Sequence, residues 1–363
     1  AVDDQQRPAG EYKVLTGNMS GCLIGDYVIG QRKELFGLPE DGAFIWYIKG
    51  GPGNGKSTLM RRAADRAEEA GLAVESILCS GDPESLDGIY IPEKKLGYVD
   101  ATSPHVQEPA VPGASGKYLD LGAFYRPIPP EEAEKMRRLF AAYRREYARA
   151  YDMLHAARLV SPGGIPGVLT AEAKARVRER AEAFAEKAVH RSETEYEKRR
   201  FLSAYTCRGA VLLSETAASF GRVYTLDNEL GLADDFLQAV LEQARSAGAA
   251  RIVCPDPVDP EKLAALILPE DGLSLVAVSG DFRFDGKAAR HFRLNTAAEL
   301  SDAKRKEVRR AAALRRSLAA EACSALRRAK ELHDELEAVY HPFVDFRALT
   351  RFEQKHLEKV FSA

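Results

Sequence analysis

The sequence predicts an α/β protein made of two related units, each a parallel β-sheet flanked by helices. The first observation is the stretch WYIKGGPGNGKSTLM at residues 46–60, where an apolar run meets a glycine cluster and then a helical pattern. The second is the alternation of apolar strands with helical segments around it, which is typical of parallel sheets. The third is VYTLDNELGLADDFL at 223–237, which has the same apolar ends but lacks the glycine cluster, the lysine and the serine.

The composition limits the class of protein. A chain of 363 residues is too long for one core, so two domains are expected. The net charge of −2 gives no general attraction to nucleic acid or to an anionic membrane. The five cysteines are scattered without a CxxC pair, which argues against a zinc cluster or disulfide framework. We recognise no signal peptide and no bilayer-spanning apolar run, so we expect a cytoplasmic protein with no membrane partner.

The first unit is predicted from its strand and helix periodicities. In chain order we predict a strand at 43–49, a helix at 57–70, a strand at 73–79 and a strand at 95–99. Gly71 ends the helix, and Asp100 directly follows the last strand. This alternation predicts a parallel sheet with helical crossovers.

The remaining chain divides into helical and sheet-forming parts. Two charged helices, one on each side of the breaker SPGGIPG at 161–167, predict a long antiparallel helical hairpin. Strands resume between 210 and 278, and helices return from about Ala297. The predicted domains are a P-loop domain at 10–128, a hairpin extension at 129–200, a degenerate copy of the first domain at 201–296 and a C-terminal helical region at 297–363.

An internal repeat relates the two sheet-forming parts. Gly248 lies 177 positions after Gly71, and the same shift places DPESL (82–86) on DPEKL (259–263). It also places Tyr47 on Tyr224, and Gly55 on Leu232. The scaffold residues are kept while the loop residues are replaced, so we expect a tandem repeat whose second loop is degenerate.

The glycine-rich loop predicts a nucleotide site. Residues 50–57 satisfy the pattern GxxxxGK[ST] of a P-loop, and they lie between a predicted strand and a predicted helix. Glycines let main-chain amides wrap around phosphate oxygens, and the helix start adds a positive dipole end. The lysine can reach the β and γ phosphates of ATP. The predicted binding residues are Gly51, Pro52, Gly53, Asn54, Gly55, Lys56, Ser57 and Thr58.

A magnesium ion is expected beside the phosphates. Ser57 can offer its hydroxyl, and Asp100 can offer a carboxylate from the end of a neighbouring strand. We expect Lys56 and Asp100 to serve catalysis, with Mg²⁺ and ATP as the cofactor and the substrate.

The group that would activate a water molecule is not decided by the sequence. Many hydrolysing P-loop enzymes have Glu directly after the strand Asp, whereas this chain has Ala101. His105 is a candidate base, and Thr102 and Ser103 are candidates for sensing the γ-phosphate. In the loop after the second strand, DPExL recurs where the glycine-rich loop is absent, which favours a structural role for Asp82. Asp87 is replaced by Ala264 in the second unit, so it is present only together with the predicted nucleotide site.

The motifs as a set resemble a family of uncharacterised bacterial ATP-binding proteins with two tandem P-loop domains. The resemblance rests on IKGGPGNGKSTLM, CSGDPESLDGIYIPE, LGYVDATSPHV, EPAVPGASGKYLDLGAFY and KRRFLSAYT, and it covers most of the chain. It implies a P-loop NTPase fold repeated twice, with residues 50–58 as the first Walker A loop and Asp100 as the Walker B acid. Residues 227–235 depart from the family pattern, which places a second ATP site in doubt.

Three functions remain open at this point. The first is a Mg-dependent ATPase with one active site, and the second is a small-molecule kinase whose lid arginines come from Arg126 or from the helix after residue 135. The third is a non-hydrolysing, ATP-dependent module that grips a protein partner, with an oligomer possible. The basic run at 304–316 alternates with Glu and Ala and lacks aromatics, so a nucleic-acid partner is not expected.

Overall fold

The computed structural model describes residues 11–15, 42–102 and 107–362. Its strands are β1 (Glu11–Leu15), β2 (Phe44–Lys49), β3 (Val74–Leu78), β4 (Leu86–Ile91), β5 (Leu96–Asp100), β6 (Gly116–Asp120), β7 (Glu197–Arg199), β8 (Ser203–Thr206), β9 (Gly209–Leu212), β10 (Arg222–Asp227), β11 (Arg251–Pro255), β12 (Leu263–Leu268), β13 (Leu273–Val278) and β14 (Arg290–Phe292). Its helices are α1 (Lys56–Glu69), α2 (Pro130–Leu159), α3 (Ala171–Ala188), α4 (Ser214–Ser219), α5 (Leu232–Ala247), α6 (Asp302–Tyr340) and α7 (Phe346–Phe361).

The first sheet has six strands in the order β1-β3-β4-β5-β2-β6. Strand β2, which precedes the glycine-rich loop, pairs in parallel with β5 and β6. Strand β4 is antiparallel to both of its neighbours, so the prediction of an all-parallel sheet is wrong. The reason is the shortness of the connections around β4, since a parallel crossover needs about a dozen residues or more.

Helix α1 forms because its apolar residues recur on one face. Leu59, Met60, Ala63 and Ala67 are all fully buried, and α1 packs on β3 and β4. The alanines bring the helix axis close to the sheet, which fixes the start of α1 next to the carboxyl ends of β2 and β5.

The second sheet repeats the order of the first. Its six strands run β14-β10-β13-β12-β11-β7, with β12 antiparallel to both neighbours and the other pairings parallel. Strand β7 belongs to this sheet, so the second sheet starts before the predicted boundary at residue 201. The chain therefore contains two mostly parallel six-stranded sheets flanked by helices.

Pair register and turns also recur with the 177-residue shift. Gly88 pairs with Val99, and Ala265 pairs with Val276. The bulge after Ile77 has its counterpart after Cys254. The turn of the DPExL motif is the same in both sheets, because Ser85 N donates to Asp82 O at 2.9 Å and Lys262 N donates to Asp259 O at 2.8 Å.

A second turn supports the same correspondence. Lys95 adopts a φ of 48°, and Gly272 adopts 58° at the shifted position. Their amides donate to Pro92 O and Pro269 O at 3.0 and 3.2 Å. This left-handed conformation is strained for Lys95, which has a Cβ, but not for Gly272.

The predicted helical hairpin is wrong, although both helices exist. Among the described helices, α2 packs along α6, and α3 packs against α5 of the second unit. Val177, Ala181 and Ala185 of α3 join the core of the second sheet. The two charged helices have apolar stripes that match different partners, which a reading of chain order alone does not reveal.

A buried ion pair joins the two units. Arg200, just after β7, donates from Nη2 to Glu75 Oε2 of β3 at 3.0 Å, and both side chains are almost fully buried. Separately, no described helix has the length and apolarity needed to cross a membrane.

Candidate functional site

The glycine-rich loop joins β2 to α1 at the carboxyl edge of the first sheet. Gly53 and Gly55 have φ angles of 68° and 88°, which residues with a Cβ rarely adopt. Gly55 directly precedes α1, and within the described chain no side chain caps this helix end and no acidic residue occupies its first turn. The first amides of α1 therefore remain available to an anion.

The loop is packed closely enough to require its glycines. A Cβ at Gly51 would lie 2.5 Å from the phenolic oxygen of Tyr125, and one at Gly50 would lie 2.0 Å from the amide nitrogen of Asn54. Pro52 and Asn54 are buried. The side-chain amide of Asn54 has no hydrogen-bond partner among the described groups. Orphaned polar atoms of this kind mark a place where a bound group would complete the bonding.

The structure brings together Lys56 and Asp100, the two predicted catalytic residues. The Lys56 ammonium lies 3.7 Å from Asp100 Oδ2. It also donates to the carbonyls of Gly50 and Gly51, at 3.1 and 2.8 Å. The Lys56 side chain therefore folds back onto its own loop, and its ammonium lies against the carbonyls of Gly50 and Gly51.

The predicted metal ligands face the same cavity. Ser57 Oγ accepts a hydrogen bond from Leu86 N at 3.3 Å, and Asp100 Oδ1 accepts one from Thr102 N at 2.9 Å. A hydroxyl and a carboxylate on one wall are the hard oxygen ligands that suit Mg²⁺. These residues therefore fit a magnesium ion by their chemistry.

A cavity of about 940 Å³ opens over the loop. It is large enough for a nucleotide, since ligand sites typically span about 300–1,000 Å³. All predicted binding residues line it. Further lining residues come from the loop after β3, from the start of β4, from α2 and from α6; they include Asp82, Asp87, Arg137, Arg144, Tyr143, Tyr147, Lys330, His333, Asp334 and Glu337.

Sequence reasoning missed the contribution of α6. Glu337 Oε1 accepts a hydrogen bond from Gly53 N at 3.1 Å. Lys330 lies 3.5 Å from Asp82 Oδ2, so α6 also contacts the loop after β3. A signal was present, because Lys330, His333, Asp334 and Glu337 follow one helical face. A polar stripe on a helix that is otherwise apolar toward the core indicates a face turned to a polar site.

His333 has an altered basicity in this setting. Burial lowers its pKa most, and the nearby charges of Lys56 and Lys330 lower it further, against the opposing effect of Glu337 and Asp334. Its Nδ1 lies 3.6 Å from Glu337 Oε1. The imidazole lies in the same cavity as Lys56.

The structure distinguishes between the arginines that were candidates for a lid. Arg137 and Arg144 of α2 line the cavity. Arg126 lies 3.7 Å from Asp345 Oδ2 instead, and it does not line the cavity. His105 and Ser103, candidates for the base and the phosphate sensor, lie outside the described residues.

The loop after β10 satisfies its own amides. Asn228 Oδ1 accepts from Ala233 N at 3.1 Å, and Asn295 Oδ1 accepts from Leu230 N at 3.3 Å. Gly231, with a φ of 86°, occupies the position before α5 that Gly55 occupies before α1. Gly231 lies one position before Leu232, the residue aligned with Gly55, so α5 begins one residue earlier in the repeat than α1 while the 177-residue shift holds on both sides of the loop. The place of an external anion is taken by side chains.

Comparisons with known proteins give no relative: no family model, no curated protein and no solved structure matches the chain.

Proposed function

We propose that the chain is a Mg-dependent ATPase with one nucleotide site, formed by the loop at 50–58. The observation that carries the proposal is the difference between the two loops. The first presents an uncapped helix start, Lys56 and Asp100 to a cavity of about 940 Å³. In the second, the amides of Ala233 and Leu230 already donate to the side chains of Asn228 and Asn295.

We infer further that both units derive from one P-loop NTPase unit by tandem duplication, as in the family that the motifs resemble. The shared strand order, register, bulge and turns at a constant shift support this origin. Two unrelated sheets would have no reason to place a bulge and two turns at matching positions.

The site residues have distinct proposed roles. The loop amides and Lys56 hold the phosphates, and Ser57 with Asp100 holds Mg²⁺, which would neutralise phosphate charge. Arg144 and Arg137 of α2 also line the cavity and add positive charge, with Arg137 paired to Glu134 at 2.7 Å. Because α2 and α6 cover the loop, water is partly excluded from the phosphates, which strengthens these electrostatic contacts.

A calorimetric titration with ATP and with GTP, each with and without Mg²⁺, tests the proposal. We expect one site per chain and tighter binding with Mg²⁺. Two sites would contradict the assignment of the second loop, and no binding of either nucleotide at millimolar concentration would reject the function.

A small-molecule kinase is the second candidate. The specific observation in its favour is the cavity wall beyond the loop, where Asp87, Tyr143 and Tyr147 present polar atoms to a space continuous with the P-loop. Phosphate release measured with and without candidate hydroxyl acceptors separates the two reactions. A non-hydrolysing module would bind ATP and a partner with no phosphate release in either arm.

A further inference from the structure

Helix α6 reaches both loops. Near its C-terminal end, Glu337 contacts the P-loop at Gly53. Nearer its N-terminal end, Arg315 and Arg316 line a small cavity with Glu229 of the second loop. Arg316 and Glu337 are 21 positions apart, which corresponds to about 32 Å at 1.5 Å per residue. One continuous helix therefore lies across the corresponding edges of the two sheets.

The contact at the first loop places a carboxylate at the phosphate-binding amides. Gly53 N is one of the amides that a P-loop directs at phosphate, and here it donates to Glu337 Oε1 at 3.1 Å. Glutamate carries the same type of anionic oxygen as phosphate. The side chain thus occupies a position that a bound nucleotide would need.

The backbone of α6 lies close to the loop at Glu337, while the Glu337 side chain keeps 37% of its surface exposed. A Cβ at Gly53 would lie 3.1 Å from Glu337 Cβ and 3.4 Å from its Cα, so the helix backbone itself abuts the loop. A ligand atom of Asp334 and one of His333 lie within 4.8 Å of a Glu337 carboxylate oxygen. Rotating the carboxylate away from Gly53 toward Asp334 brings two negative charges together.

The other end of α6 is fastened to the second unit. Ala319, Cys323 and Leu326 pack with Tyr205 and Phe282 in one apolar cluster. Beyond this cluster, Glu229 Oε1 accepts from Gly280 N at 2.6 Å. Arg316 Nη1 lies 3.4 Å from the position of a Cβ on Gly280, so this arginine covers the same peptide.

We propose that the Glu337 carboxylate competes with the nucleotide phosphates for the amide of Gly53. When nucleotide displaces it, α6 shifts, and the shift changes the structure of the loop after β10. This inference rests on the proposed function of the first loop. A ligand shifts an equilibrium only by binding one state better, and the Glu337–Gly53 contact supplies that difference because phosphate and carboxylate exclude each other. The degenerate unit then serves as the receiver of the nucleotide signal.

Affinity tests the competitor. Mg·ATP binding is measured by calorimetry for the natural protein, Glu337→Gln and the matched control Glu335→Gln, an exposed residue of the same helix. We expect Glu337→Gln to bind about tenfold more tightly or better, because a neutral amide competes less well with phosphate, and Glu335→Gln to be unchanged. Equal or weaker binding by Glu337→Gln, with its thermal melt unaltered, overturns the competitor while leaving the proposed function intact. Absence of binding in the natural protein would instead reject the function itself.

Hydrogen exchange tests the coupling. Exchange of the amides at 228–233 and 279–281 is followed with and without Mg·ATP in the natural protein, in Lys56→Ala and in Arg316→Ala. We expect a change of about threefold or more in the natural protein and none in Lys56→Ala, with the change reduced in Arg316→Ala; Arg310→Ala, exposed on the same helix, is the control. Protection at 50–58 with no change at the second loop would overturn the coupling.

Discussion

Ser57 and Asp234, 177 positions apart, make the same hydrogen bond in their two units. Ser57 Oγ accepts from Leu86 N at 3.3 Å, and Asp234 Oδ1 accepts from Leu263 N at 2.8 Å. Each bond ties the first turn of a helix to the start of the strand that follows the DPExL turn. The residue that we assign to magnesium in the first unit therefore also has a scaffolding role, and the second unit keeps that role with a carboxylate.

This relationship predicts unequal costs for two alanine substitutions. Asp234→Ala leaves the buried Leu263 amide without an acceptor, which should lower the free energy of unfolding by about 1–3 kcal/mol. Ser57→Ala should cost about 1 kcal/mol and should also weaken the effect of Mg²⁺ on ATP binding. Urea unfolding of both variants measures the stabilities. Identical losses would contradict the predicted inequality, and no loss in either variant would argue against the shared bond.

Lys56→Ala should weaken ATP binding by about a hundredfold or more, because it removes the ammonium that reaches the phosphates. Calorimetry measures this loss. Lys49→Ala is the matched control, since the Lys49 ammonium donates to Ala101 O at 2.9 Å, outside the glycine-rich loop. Retention of affinity in Lys56→Ala would show that nucleotide binds elsewhere.

Ala233→Lys should not create a second nucleotide site. The new ammonium would stand beside a loop in which the amides of Leu230 and Ala233 already donate to Asn295 and Asn228, and Ala233 itself is fully buried. Binding stoichiometry should stay at one, with lower stability. A second saturable site in this variant would contradict our account of the loop after β10.

Gly81→Ala should be destabilising and rescued by a second substitution. A Cβ at Gly81 would lie 2.0 Å from the phenolic oxygen of Tyr147, so the tyrosine must move at a cost of about 1–3 kcal/mol. Tyr147→Phe removes that oxygen and should restore most of the loss. Gly164→Ala, where the nearest atom is 3.5 Å away, is the control for glycine replacement. Additive effects of Gly81→Ala and Tyr147→Phe in thermal melts would contradict this packing.

His356 should make the protein sensitive to acid. Burial, with a smaller effect of Lys359, lowers its pKa from 6.5 to about 4. The unfolded chain takes up this proton as pH falls through 6.5, while the folded protein resists until about 4. The associated stability is present above pH 6.5 and is lost as pH falls toward 4.

Trp46, the single tryptophan, can report this titration because its ring lies 4.6 Å from that of His356. We expect its fluorescence to change with a midpoint near pH 4 and the change to vanish in His356→Gln. A midpoint near 6.5 would show that the imidazole is not shielded.

Local sequence signals predicted the elements around the glycine-rich loop well. Strands at 43–49 and 73–79, the helix from 57 and the strand ending at Asp100 lie within one or two residues of β2, β3, α1 and β5. These elements have strong periodicity and glycine boundaries, so neighbouring residues determine them. The meeting of Lys56 with Asp100 followed from the rule that parallel strands share an edge.

Long-range packing could not be predicted in the same way. Gly53 and Glu337 are 284 positions apart, and nothing near either residue indicates their contact. The breaker at 161–167 suggested that α2 packs on α3. Its actual partner, α6, lies far along the chain, as in the contact of Glu146 with Arg328, 182 positions later. Strand β4 was missed because turn residues on both sides obscured its short apolar run.

The buried pair of Arg200 and Glu75 has a consequence for dissecting the molecule. If the chain were cut between the sheets, Arg200 and Glu75 would each lose the opposite charge. An isolated buried charge is costly. A fragment ending before β7 or starting after it should therefore be recovered as aggregated material, while co-expression of the two fragments should restore a soluble complex. The two halves are best treated as a single cooperative body.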